Sequence, residues 1–298
     1  MSEKVFDIIR SGKILVSDGA WGTMLQASGL KNGECPESWN LLYPEKVGTI
    51  ARSYYEAGAD IIETNSFGGS SVKLRHYGLQ DKTIEINKRA AEISKEYAGK
   101  ETLIFGSVGP TGKFLITGDI EESEMFDAFA AQATGLAQGG VDLILLETFY
   151  DTMEAQIAVN AIKSVCDTEI ICSFTYDSKP DGSFKTMMGN SIEDTLGFMR
   201  TNSLRIAAAN CGNGFRQYRD FAEVFHEFSK EIPLMIQANA GLPLIKEGKL
   251  FYPETPDFIE EILMEFIKHG VKIIGGCCGT TPAHIRKIKQ KVIEYQGH

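Results

Sequence analysis

Eight short runs rich in Val, Ile, Leu and Ala, with little polar alternation, recur along the chain at residues 13–20, 59–67, 102–110, 141–149, 169–176, 205–212, 233–240 and 271–279. Runs of this kind fit strands buried on both faces, as in a parallel sheet lying beneath helices. Between them, apolar residues return at helical spacing over 45–57, 83–97, 122–138, 152–164, 191–201, 217–230, 256–268 and 282–294. That spacing predicts an amphipathic helix after each strand. Glycines in "EAGAD", "QGGVD" and "KHGVK" stand where a helix gives way to the next strand, the C-cap position. Eight strand–helix units is the count of a (β/α)8 TIM barrel, an α/β fold. A doubly wound open sheet is the competing architecture, but it usually needs fewer units, and no G-x-G-x-x-G follows the first run. The pattern therefore predicts a barrel forming a single domain over residues 1–298, with no Pro/Ser-rich linker, low-complexity segment or charge block to divide it.

Composition narrows the setting. The chain is 43% hydrophobic and 23% charged, ordinary for a globular protein. Its net charge of -10 argues against a broad surface for nucleic acid or an anionic membrane. No apolar run reaches the roughly 18 residues of a membrane span. The opening "MSEKVFDIIRSGK" lacks the apolar core of a signal peptide, so a cytoplasmic location is expected. Six cysteines (35, 166, 172, 211, 277 and 278) in a chain this long do not make a secreted disulfide framework. Reduced thiols are the expectation, and any cluster of them points to metal binding or chemistry.

In a (β/α)8 barrel the chemistry sits at the C-terminal ends of the strands. Nearly every predicted strand ends there in polar residues or glycine: Asp18-Gly19, Glu63 and Asn65, Gly109 to Gly112, Glu147-Thr148, Asp177, Asn210 to Gly212, Asn239 to Gly241, and Cys277 to Gly279. Cys211 closes the sixth strand, and the adjacent Cys277 and Cys278 close the eighth. Strands two apart are near neighbours on a closed rim, so these three thiols can converge, whereas Cys166 at a helix end and Cys172 in mid-strand cannot, and Cys35 lies in the first long loop. Three thiolates with a fourth position free describe a catalytic zinc arrangement, while the C-x2-C spacing common in structural zinc sites is absent. Small buried hydrophobes are the other description of free cysteines, and spacing alone leaves both open. The glycines of "NCG" and "GGCCG" allow tight turns and close approach of the backbone. Gly275 and Gly276 would let two successive cysteines face one cavity, which implies local distortion of an ordinary strand.

Seven segments appear in order: "DGAWGT" (18–23), "ETNSFG" (63–68), "GSVGPTG" (106–112), "LETF" (146–149), "NCG" (210–212), "NAGLP" (239–243) and "GGCCGTTPAHI" (275–285). Together they resemble the zinc-dependent homocysteine S-methyltransferase family, most closely the homocysteine-binding module of cobalamin-dependent methionine synthase. The resemblance covers nearly the whole chain, and "NCG" combined with "GGCCGTTP" is its most specific part. It implies a barrel with one Zn2+ held by Cys211, Cys277 and Cys278. It further implies a substrate thiol that enters the fourth position and is deprotonated there to act as the nucleophile. Asp18, Gly19 and Thr23 are implied to hold the amino-acid part of homocysteine, with Glu147 facing its ammonium. The reading without the resemblance is that Asp18 and Glu147 cap helices or form rim ion pairs. Asn65 and Asn239 are expected to organise the site by hydrogen bonds.

The chain departs from the family pattern in the loop 176–191 and in "NCGNGF" around 212–215, which bear on donor and acceptor choice. The 176–191 loop carries Met187 and Met188, candidates for a donor-side surface. A betaine or S-methylmethionine donor calls for an aromatic cage, for which Trp21, Trp39 and Tyr43 are the candidates. The resemblance favours a methylated corrinoid protein as a separate methyl carrier, with homocysteine converted to methionine. A corrinoid-linked or onium-dependent enzyme with another acceptor, and a non-catalytic zinc-thiolate redox sensor, are the alternatives.

Overall fold

The computed structural model describes residues 4–246 and 249–297 of the predicted 1–298 span. Eight parallel strands, β1 (Leu15–Val16), β2 (Ile61–Glu63), β3 (Leu103–Val108), β4 (Leu143–Phe149), β5 (Glu169–Phe174), β6 (Ala207–Cys211), β7 (Leu234–Ala238) and β8 (Val271–Gly276), make one sheet in the order β1-β8-β7-β6-β5-β4-β3-β2. The ends of that order meet. Ser17 bridges Ile61 in parallel, Asp18 N donates to Ile61 O at 3.1 Å, and Asp60 N donates to Val16 O at 2.7 Å. The fold is a (β/α)8 TIM barrel, as expected.

The eight long helices are α1 (Pro44–Glu56), α2 (Thr83–Tyr97), α3 (Glu122–Gly139), α4 (Thr152–Val165), α5 (Ile192–Asn202), α6 (Phe215–Phe228), α7 (Pro256–Lys268) and α8 (Pro282–Gln296). They follow the predicted ranges closely because their amphipathic stripes are regular and their starts carry strong signals. Asp151 accepts from Met153 N ahead of α4, and Ser191 and Asp194 form a capping box ahead of α5. Most buried apolar side chains divide between two cores. One lies between sheet and helices. The other fills the barrel interior with residues such as Leu15, Ile61, Phe105, Leu145, Met235 and Ile273. A helix that the pattern does not predict, Lys4–Arg10, adds Val5 and Ile9 to the interior core and packs with the first residues of β3 and β4, Leu103 and Leu143. Its seven residues are too few to establish a helical period by themselves.

Most of the strands end earlier than the apolar runs predicted. β1 stops at Val16, β2 at Glu63 and β8 at Gly276; Ser17 and Asp18 keep main-chain bonds to Ile274 and Ile61, and Cys277 and Cys278 begin the turn at the barrel mouth. This changes the explanation of the paired cysteines. Cys277 and Cys278 lie in the turn after β8, so no strand distortion is needed for both to face one place. Gly275 and Gly276 serve close packing instead. A Cβ on Gly275 would meet Ser17 Oγ and stand 2.9 Å from Asp18 O, and one on Gly276 would collide with the Thr280 side chain. β8 therefore lies directly against the end of β1, with Gly276 N donating to Asp18 O at 2.9 Å.

Candidate active site

The mouth is built from the last residues of the strands and the turns that follow them. Cys211 takes a left-handed conformation (φ 67°) and Gly212 follows in the same region (φ 61°). For a non-glycine residue this costs on the order of 1–3 kcal/mol and persists only where the surroundings enforce it. Here Asn239 N donates to Cys211 O at 3.2 Å, and the hydroxyls of Tyr218 and Thr175 donate to Asn210 O at 2.6 and 3.0 Å. On the other side Cys277 N donates to Ala238 O at 2.7 Å, Ala240 N donates to Cys278 O at 2.9 Å, and Thr280 Oγ1 donates to Cys277 O at 2.7 Å. The end of β7 thus ties the ends of β6 and β8 together. The result is that the sulfurs of Cys211, Cys277 and Cys278 all lie within 4.8 Å of one another.

Electrostatics distinguish these three from ordinary buried thiols. Hydrogen bonds from the Cys277 and Cys278 thiols hold Cys211 down to about 3, helped by the Asn239 amide, whose Nδ2 lies 3.5 Å from the sulfur. The same bonding to Cys211 pushes Cys277 well up and Cys278 up to about 11. Ionisation of one sulfur thus opposes ionisation of its two neighbours. A dication removes that opposition, so three converging thiols beside an amide donor fit zinc. Cys172, buried in the helix–sheet core, and Cys35, pushed up to about 12 by burial, answer to the small-hydrophobe description.

The cysteines open onto a cavity of about 390 Å³, whose walls include Gly19, Thr23, Glu63, Ser107 and Glu147. Glu147 reaches it because β4 slips register against β5 between Leu146 and Phe149, with Thr148 left-handed (φ 62°). Ser107 Oγ donates to Glu147 Oε1, and Asn210 Nδ2 lies 3.4 Å from Oε2. Burial pushes Glu147 up to about 7, partly offset by the Ser107 hydrogen bond. Asp18 is also pushed up to about 7 by burial, against hydrogen bonds from Glu63 N and Trp21 Nε1, each 2.9 Å from its Oδ2. Its side chain is fully buried behind the Gly19–Thr23 wall, and Oδ1 is without a hydrogen-bond partner among the described residues. Gly19 is held against Thr280 and Tyr54, where a Cβ would stand 2.6 Å from Thr280 Oγ1. Ala20 begins the short helix Trp21–Ala27 without a side-chain cap.

The two asparagines organise the site: Asn239 bonds Cys211 Sγ and Gly212 O, and Asn65 donates to Pro36 O and Asn40 Oδ1. The aromatic cage does not assemble at the cavity. Trp21 lines it, but Trp39 is buried in an edge-to-face pair with Tyr43, and Lys46 Nζ lies 4.7 Å from the Trp39 ring centroid. The unusual loop 176–191 folds as a small hairpin, Asp177–Ser178 with Phe184–Lys185, anchored by Tyr176 and Phe184 against Phe221. Met187 and Met188 are exposed and stand outside the cavity lining. In "NCGNGF", Gly214 (φ 124°) makes room for Glu254, whose Oε2 accepts from Phe215 N at 2.6 Å at the start of α6. Two wall residues escaped the strand-end reading as site residues. Glu63 stands in that pattern without a role, and Gln237 is signalled only as a polar residue inside the apolar run "PLMIQANA".

Burial of Glu147 has a measurable consequence. Its ordinary value is 4.5 and its folded value is about 7, so the folded state keeps the proton longer than the unfolded chain. Its contribution to stability is therefore full below about pH 4 and is lost as pH rises through about 7. Glu147→Gln is expected to raise the thermal midpoint of the ligand-free protein at pH 8 and to leave it close to wild type at pH 5. A lowered midpoint at pH 8 would mean that a partner stabilises the charged carboxylate.

A family model described as homocysteine S-methyltransferase matches residues 15–292. The chain is 30% identical over 302 residues to methionine synthase of Mycobacterium tuberculosis, covering 95% of this chain and 25% of that protein. It is 31% identical to methionine synthase of Mycobacterium leprae, covering 94% of this chain and 24% of that one. The chain thus spans about a quarter of the length of these relatives. Among solved structures, the metallated form of the homocysteine methyltransferase MmuM from Escherichia coli superposes with a TM-score of 0.78 at 21% identity, over 96% of this chain and 98% of that one. The likeness at this identity is one of fold. With a family model matched across nearly its whole length, the chain belongs to the homocysteine S-methyltransferase family.

Proposed function

We propose that this chain is a zinc-dependent thiol S-methyltransferase that converts homocysteine to methionine, acting as one barrel domain in the cytoplasm. The observation that carries this reading is the convergence of three cysteine sulfurs within 4.8 Å at a cavity walled by a buried glutamate. Cys211, Cys277 and Cys278 would hold the zinc, with the Asn239 amide steadying the Cys211 sulfur. Bound there, zinc would let a substrate thiol lose its proton at neutral pH. Glu147 takes the substrate ammonium, while Gly19 and Thr23 face its carboxylate from the start of the short helix. Asp18 acts from behind this wall by fixing the Trp21 indole and the Glu63 backbone. The thiol proton leaves to solvent. The sulfur lone pair then forms the new bond to the methyl carbon as that carbon's bond to the donor breaks.

A protein-borne corrinoid is the donor that the surface supports best. The hairpin Leu244–Lys246 with Lys249–Phe251 follows β7 at the mouth and exposes Ile245 (80%), Leu250 (57%) and Leu244 (45%). Its base joins the cysteine turn, because the Tyr252 ring occupies the place a Cβ on Gly279 would take. A cluster of exposed apolar side chains beside a site is a feature of docking surfaces. Trp39 and Tyr43 are turned elsewhere, which disfavours a small onium donor. A redox sensor has no use for a carboxylate-lined cavity beside its thiols. Among the described residues no helix is long and apolar enough to cross a membrane.

Cys277→Ala is expected to lose both bound zinc, measured by elemental analysis, and methyl transfer to homocysteine. Turnover at the wild-type rate would contradict the proposal. Asn239→Ala is expected to keep the site but weaken zinc roughly 10–100-fold, as other outer partners of metal ligands do.

The donor is tested separately. Ile245→Asp combined with Leu250→Asp is expected to raise KM for a methylated corrinoid protein on the order of tenfold, and to leave turnover of free methylcobalamin unchanged. Equal effects on both donors would remove the hairpin from the docking surface.

A further inference from the structure

Glu63 ends β2 and is held from three sides. Its N–H donates to Asp18 Oδ2 at 2.9 Å, and its carbonyl accepts from Ser94 Oγ at 2.9 Å. Its Oε1 accepts from Gln237 Nε2 on β7, which also donates to Ser17 Oγ at 3.0 Å. Gln237 Oε1 is buried without a partner, so this amide bonds only through Nε2, which bridges the Glu63 carboxylate and the Ser17 hydroxyl. The side chain of Glu63 is 6% exposed and lines the cavity, and Oε2 takes no hydrogen bond among the described residues. Glu63 and Glu147 thus line one cavity with Asp18 buried behind its wall, and each of the three carboxyl groups is less than a tenth exposed. No ion pair within 4.0 Å is found for any of them among the described residues. The nearby cation Lys73 lies with its Nζ 4.7 Å from the Phe67 ring centroid and pulls Glu147 down only weakly beside burial. Burial and the charges of Glu147 and Asp18 push Glu63 well up, so the group is held at a cost that a cation would remove.

We infer that Glu63 is a specificity-determining residue whose Oε2 accepts the substrate ammonium together with Glu147, with Gln237 as the positioning residue that aims it. The inference rests on the homocysteine reading above and extends it. An ammonium group brings three donors and a positive charge to a cluster in which Glu63 Oε2 takes no hydrogen bond and no carboxyl forms an ion pair among the described residues. A thiol without that group leaves buried acceptors unpaired, and sites of this kind reject such analogues strongly. The cavity would therefore select amino-acid thiols over desamino thiols of the same length.

The test compares L-homocysteine with 4-mercaptobutanoate, which lacks only the amino group, by calorimetric titration of the zinc-loaded protein. Glu63→Gln is expected to weaken homocysteine on the order of 10–100-fold, as for loss of a hydrogen bond to a charged group. Binding of 4-mercaptobutanoate should stay within about twofold. Gln237→Met, which leaves the carboxylate in place but unaimed, is expected to move the same ratio in the same direction, and serves if Glu63→Gln does not fold. Equal weakening of both ligands would reduce Glu63 to a structural part and overturn the inference. Wild-type protein that binds homocysteine, beside a Glu63→Gln variant that binds it equally well, would overturn it alone. Wild-type protein that does not bind homocysteine would remove the functional reading and the inference with it.

Discussion

Burial of carboxyl and thiol groups that form no ion pair among the described residues is the constraint on which the mouth of this barrel depends. Three thiols and three carboxyl groups meet there. Burial raises all three carboxyls, and hydrogen bonding among the sulfurs holds Cys211 down while it pushes Cys277 up. Left to stability alone, such a cluster would be replaced by apolar residues, since isolated buried charge is among the costliest things a fold can hold. Its presence makes sense if cations complete it: a metal dication among the sulfurs and an ammonium among the carboxyls. The two demands lie at opposite ends of one small molecule, a thiol-bearing amino acid.

The barrel supplies the rigidity that this requires. β7 ties the ends of β6 and β8 by main-chain bonds to both cysteine segments, and Tyr218, Thr175 and Asn239 enforce the left-handed turn that aims Cys211. Gly275 lets β8 lie against Ser17 and Asp18, so the seam that closes the barrel is also the place where the site's first wall begins. Thr280 joins both sides, accepting from Ala20 N and donating to Cys277 O. Much of "GGCCGTTPAHI" is in this sense architecture: Thr281 and His284 cap α8, and His284 Nε2 reaches Glu254 O at 3.0 Å.

The eight strand–helix units were legible because fully apolar strands and regular amphipathic stripes are direct consequences of burial on two faces and on one. The convergence of Cys211 with Cys277 and Cys278 was legible too, because barrel closure makes alternate strands neighbours at the rim. Strand ends were not, since the runs read from the sequence continue past Glu63, Val108 and Gly276, where the ladders stop. Glu63 and Gln237 were hidden for a related reason. They bond each other from β2 and β7, with Asp18 and Ser17 just past β1 as further partners, far apart in sequence, and only closure brings them together. The Lys4–Arg10 helix and the two small hairpins are too short to show a period.

The most direct measurement is a calorimetric titration of L-homocysteine into the zinc-loaded protein in two buffers of different ionisation enthalpy, repeated after chelation of the metal. Binding that releases about one proton and disappears with the metal would show the substrate thiol entering the cysteine site as a thiolate. Binding that releases no proton, or that survives chelation unchanged, would contradict it.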